Sequence, residues 1–113
     1  MQATQANPRD VEVKSNLGMA EMKVGKLNEA VTAFLLALQL DPRRSNTWEP
    51  LAETLDGMKM HDEAHDALLL TYEFSSNKQH TMDFFRSRSA EDGVDKSLRA
   101  TYSRAVAKLQ SGY

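Results

Sequence analysis

Shifted by 34 residues, this sequence matches itself, and no other feature limits its possible folds so strongly. Leu17 falls on Leu51, Glu29 on Glu63, Ala30 on Ala64, Ala33 on Ala67, and Leu35-Leu36 on Leu69-Leu70. Gly18 meets Ala52, Asn28 meets Asp62, Phe34 meets Leu68, and Asn7-Pro8 precedes Asp41-Pro42 by the same interval. Each unit reads as two helices. In the first, Val13, Leu17, Ala20 and Val24 recur at spacings of 4, 3 and 4. Gly25 punctuates, and Leu27, Ala30, Phe34, Ala37 and Leu38 repeat the pattern until Asp41-Pro42 stops it. Helices of roughly 14 residues are marginal alone in water and gain stability by stacking on neighbouring pairs.

The stretch NLGMAEMKVGKLNEAVTAFLLALQLDP resembles a tetratricopeptide repeat, with Leu17, Gly18, Gly25, Ala30, Phe34, Ala37 and Pro42 at the family's signature positions. The second unit keeps Trp48, Leu51, Ala52, Ala64 and Leu68, but carries Lys59 in place of the turn glycine and Ser76 in place of the closing proline. Trp48 falls at the family's core tryptophan position. The resemblance implies an all-α fold, a right-handed α-solenoid of antiparallel helix pairs. Residues 1–9 then read as the tail of a preceding repeat or a linker, 10–44 as the first unit, 45–78 as the second, and 79–113 as a degenerate third hairpin or cap. In that last segment Met82 and Phe85 are in phase with Trp48 and Leu51. Leu98, Tyr102, Ala105 and Leu109 form the apolar face of a final helix after the Asp92-Gly93 turn. Because Ala3 and Pro8 match Ala37 and Pro42 in phase, the chain is expected to be the C-terminal part of a longer repeat protein.

Composition narrows the function. The net charge of −2 argues against a dedicated nucleic-acid binder. It divides unevenly: residues 1–78 carry 8 basic and 12 acidic side chains, and residues 79–113 carry 6 and 4. With no cysteine, thiol catalysis, disulfides and cysteine zinc sites are excluded. No apolar run approaches the roughly 18 residues of a membrane span, and the first ten residues do not form a signal peptide. The compartment stays open: soluble, and cytoplasmic or, if an upstream signal is missing, periplasmic.

The tempting motif is HDEAH at 61–65, two histidines four apart with carboxylates between. A metalloprotease helix needs glutamate immediately after the first histidine, and Asp62 stands there. In register His61 replaces Leu27 and His65 replaces Val31, so both read as packing or turn residues. No metal, cofactor or catalytic residue is expected. No phosphate loop or G-x-S-x-G elbow appears, and the RSRS run at 86–89 reads as a solvated helix face. Pro50 falls early in a helix and is tolerable if that helix starts near Asn46 or Thr47.

The resemblance places a partner-binding groove along the first helix of each pair. Carried over by position, its residues are Glu12, Ser15, Met19, Met22 and Lys23 in the first unit, and Asn46, Glu49, Glu53 and Asp56 in the second. Glu49, Glu53 and Asp56 form one acidic stripe, and methionines beside it supply adaptable apolar contact. Such a groove suits a peptide or helix of another protein bearing basic and apolar side chains. The sub-family that clamps acidic chaperone tails is set aside, since a carboxylate tail would be repelled. The alternative is a structural role in self-assembly, with the +2 segment of one copy meeting the −4 segment of another as a homo-oligomer.

Overall fold

Residues 8–112 are described by a computed structural model, and every regular element among them is a helix. The order is α1 (Pro8–Lys23), α2 (Leu27–Leu40), α3 (Ser45–Gly57), α4 (His61–Glu73), α5 (Lys78–Ala90) and α6 (Lys96–Gln110). Ala3, the residue read as part of an earlier repeat, lies outside the described residues, whereas Pro8 opens α1. Proline suits that place, because its missing N–H would have no partner in the first turn. No described helix is long and apolar enough to cross a membrane.

The 34-residue echo becomes a repeated turn. After α1, Lys26 N–H donates to Glu21 C=O at 2.9 Å and Gly25 N–H to Met22 C=O at 3.1 Å. After α3, Met60 N–H donates to Leu55 C=O and Lys59 N–H to Asp56 C=O, both at 2.9 Å. This is one Schellman cap made twice in register, reversing the chain between the helices of each of the first two pairs. Its central residue must be left-handed: Gly25 has φ 82° and Lys59 φ 65°. Glycine adopts that conformation freely and lysine does not.

Within the first pair, a Cβ on Gly18 would stand 2.7 Å from the Phe34 ring, so α1 and α2 approach closely only because Gly18 has none. The second pair solves the same contact with Ala52 against the smaller Leu68, all of them buried. Ala30, Phe34, Leu38 and Leu51 form the core between α2 and α3, joined by Met19, Met22 and Val31. Ala52, Ala67, Leu68, Phe85, Val94, Leu98, Tyr102 and Ala105 form the core of the other end. Trp48 and Leu55 pack against both clusters and make the two continuous. Trp48 also donates its indole N–H to Pro42 C=O at 2.8 Å. Helix α3 starts at Ser45, so Pro50 falls in its second turn.

Two features lie beyond what the spacing states. The spacing Val13, Leu17, Ala20, Val24 is helical, but it is not the buried face of α1: Val13 is 59% exposed, Leu17 53% and Val24 70%. The core takes Val11, Ser15 and Gly18 instead. In the last hairpin, Met82 and Phe85 are buried, but α6, not α5, makes the broader contact with α4 and also touches α3. Ser97 meets Asp56 and Tyr102 meets Glu49, so α6 runs antiparallel to α3.

Candidate functional site

The acidic positions of α3 and the helix lying along them form a polar contact across the fold. Asp56 is buried, and its carboxylate is well supplied with donors. Thr101 Oγ1 donates to Oδ1 at 2.6 Å, Ser97 Oγ to Oδ2 at 3.0 Å, and His61 Nδ1 stands 2.8 Å from Oδ1. Seven residues earlier on α3, Glu49 Oε2 accepts from Tyr102 O–H at 2.5 Å. Between them Arg88 of α5 reaches Glu53 at 3.5 Å, with its guanidinium 5.6 Å from the centre of the Tyr102 ring. On the outer side of α6, Arg104 pairs with Asp62 at 2.8 Å.

The electrostatics follow from burial. Burial pushes the Glu49 carboxyl above its ordinary range; the Tyr102 hydrogen bond opposes this, the Glu53 charge adds to it, and Arg88 opposes it. Burial first, then the Glu49 charge, raises the Tyr102 phenol well above its ordinary range, so it remains a donor at any physiological pH. Burial works against the Arg88 charge, yet Tyr102, Glu53 and Glu49 together outweigh it and hold the guanidinium more firmly protonated.

Asp56, His61 and Ser97 have the composition of a hydrolytic triad without its geometry. In a triad the histidine bridges, with one ring nitrogen on the carboxylate and the other on the hydroxyl. Here Nδ1 of His61 faces both Asp56 and, at 3.3 Å, Ser97 Oγ, while Ser97 also lies within donating distance of the carboxylate. The serine hydroxyl donates directly to the carboxylate, so the histidine does not stand between the two. Clefts of about 250 and 350 Å³ flank this cluster, one against Arg104 and the other against Lys59 and Asp95. The cluster ties α6 to the α3–α4 turn.

The histidine pair separates. His61 lies at the surface on Asp56, whereas His65 is buried with neither ring nitrogen hydrogen-bonded; Asp66 is 3.5 Å from Nδ1. Burial, reinforced by the Arg104 charge and opposed by Asp66 and Asp62, lowers the His65 pKa. Among the described residues no three His, Asp or Glu side chains gather as metal ligands.

The groove positions carried over from the repeat resemblance divide into two sets. Ser15 is buried and shares a 3.1 Å hydrogen bond with Thr47, and Met22 packs on the core. Glu49, Glu53 and Asp56 are taken up by α5 and α6. Glu12, Lys23 and Asn46 are exposed, and Met19 is half-buried beside them. At 100° per residue, Glu12, Met19 and Lys23 fall within about 40° on α1 and make one open strip. Sequence reasoning missed Ser97, Thr101, Tyr102 and Arg88 as partners of the acidic stripe. The signal was present in α6: Ser97, Thr101 and Arg104, spaced 4 and 3, form a donor stripe beside the apolar one. The chain matches no protein-family model, and no curated protein matches it in sequence.

Proposed function

We propose that this chain is a non-catalytic interaction scaffold of the tetratricopeptide kind, a right-handed stack of helix pairs that holds a helix or peptide of another protein along the first helices of its pairs. The observation that carries this reading is α6 lying along α3. The groove positions of that helix accept a helix within the molecule itself, through Glu49 and Asp56 meeting the hydroxyls of α6, while Glu53 meets Arg88 of α5. The repeated Schellman turn and the exchange of Gly18–Phe34 for Ala52–Leu68 support a common repeat architecture. Prearranged side chains on packed helices lose little conformational entropy on binding. The strip left open is Glu12, Met19, Lys23 and Asn46, with Glu53 at its edge.

The test is a quantitative pull-down comparing the wild type with a Glu12→Lys/Lys23→Glu/Asn46→Lys variant whose circular dichroism is unchanged. A partner retained by the wild type and lost from the variant is the expected result. Identical capture by both, or capture by neither, overturns the groove as the working surface.

A further inference from the structure

The dipeptide Asp-Gly occurs twice in the chain, as Asp56-Gly57 and as Asp92-Gly93. It has a reactivity of its own. The backbone nitrogen of the glycine attacks the carboxyl carbon of the preceding side chain, in its acid form. The nitrogen gives up its proton, a C–N bond closes a five-membered succinimide, and the carboxyl hydroxyl leaves with that proton as water. Water then reopens the ring. Cleavage at the side-chain carbonyl restores aspartate, whereas cleavage at the main-chain carbonyl gives isoaspartate. In isoaspartate the chain runs through Cβ and the α-carboxyl becomes the branch. The water lost is the water regained, and no oxidant or cofactor is required. Glycine favours the step because it has no Cβ to screen the nitrogen and restricts rotation least.

The two sites differ in everything but sequence. Asp56 is 4% exposed, and its carboxylate is held by Thr101, Ser97 and His61. Gly57 is the last residue of α3, so its N–H belongs to the helical ladder. A carboxyl tied to another helix cannot swing onto a nitrogen that is itself hydrogen-bonded. Asp92-Gly93 instead forms the centre of the turn between α5 and α6, closed by Val94 N–H donating to Glu91 C=O at 3.1 Å. Both residues are exposed. Among the described residues nothing accepts the Gly93 N–H and nothing pairs with the Asp92 carboxylate. A Cβ added at Gly93 would meet no atom within 4 Å, so the space around the nitrogen is open.

We propose that Asp92 is a site of spontaneous isomerisation to isoaspartate, that the fold protects the identical dipeptide at Asp56, and that conversion loosens the seating of α6 on α3. The last clause follows from what comes next in the chain. Val94 is buried in the core of that end, and Asp95 caps α6 by accepting from Ser97 N–H at 3.1 Å. Ser97 in turn donates to Asp56. An extra carbon in the main chain at position 92 shifts the point from which all three are placed.

The test keeps the full chain in warm neutral buffer for several weeks, folded and, in parallel, unfolded in concentrated urea. Trypsin then releases Asp56 within residues 45–59 and Asp92 within residues 89–96. Electron-transfer fragmentation distinguishes the two linkages at each. Isoaspartate is expected at 92 but not at 56 in the folded chain, and at both in urea. Gly93→Ala, which the open space accommodates, should remove most of the conversion at 92 with circular dichroism unchanged. Equal conversion at 56 and 92 in the folded chain, conversion at 92 in urea alone, or a Gly93→Ala chain that converts as fast as the wild type overturns the assignment. The converted chain, separated by chromatography, is expected to melt at a lower temperature than its parent. An identical melt would show that the turn does not seat α6.

Discussion

The first and second helix pairs carry the same pattern 34 residues apart and live in different surroundings. The second is packed on both sides, by α2 and by the last hairpin, while the first, among the described residues, is packed on one. Identical residues therefore do different work: Leu51 holds two pairs together, and Leu17 stands open. A repeat pattern specifies what a face is capable of contacting. Position in the fold decides whether anything is there.

The sharpest way to break this comparison is truncation at the matched leucines. Leu51→Ala is expected to destabilise by about 2–5 kcal/mol, and Leu17→Ala by less than about 0.5, in paired urea titrations. Similar losses at both sites would mean that the first face is covered in solution. Next comes the close approach in each pair. Gly18→Ala should cost about 1–3 kcal/mol despite alanine's better helix propensity, because the new methyl meets the Phe34 ring. Adding Phe34→Leu recreates the Ala52–Leu68 solution, so a double-mutant cycle should return part of the loss; strict additivity would contradict the shared contact.

The turns predict a gain. Lys59→Gly should stabilise by about 1 kcal/mol, since a left-handed lysine is replaced by the residue its counterpart Gly25 already is. A comparable gain is expected from His65→Val, which installs the relative of Val31 and removes two buried ring nitrogens without hydrogen bonds; the estimate is about 1 kcal/mol at neutral pH. The gain should grow in acid. The His65 pKa is lowered on folding, so the unfolded chain takes up the proton first, and the wild type loses stability as pH falls below about 6.5. Thermal melts between pH 7 and pH 5 should show a shallower decline for His65→Val; equal slopes would remove His65 as the cause.

The smallest effect concerns Glu49, whose carboxyl is raised on folding by burial. A raised carboxyl favours the fold while protonated, and that contribution fades as pH rises through its folded pKa. Glu49→Gln keeps an acceptor for Tyr102 and should therefore raise the stability slightly at pH 7, by no more than about 1 kcal/mol, and not at pH 4. Destabilisation at pH 7 would instead make the charge itself, through Arg88 and Tyr102, the stronger influence.

Much of the fold was legible because its causes are local. Helical spacing and the 34-residue match placed the six helices of the described residues, and Gly25 and Asp41-Pro42 marked ends that the backbone observes. The site was less legible. Glu49, Glu53 and Asp56 share a stripe on α3 as their spacing requires, yet the stripe is closed by residues about 35 to 53 positions away in the chain. His65 was readable as a packing residue from its register with Val31, but its proximity to Arg104 was not.

By itself the sequence determined the helices, their paired turns, and the small-against-large contacts inside each pair. Those follow from backbone preferences and from periodicities that complete within a few turns. Only the tertiary structure decided which of the two apolar sides of α1 became core, that α6 covers more of α4 than α5 does, and that α6 rather than α5 reaches α3. Both choices depend on how whole helices are oriented across long stretches of chain. Several orientations satisfy the same local pattern, and only the full set of packed contacts and paired charges selects among them.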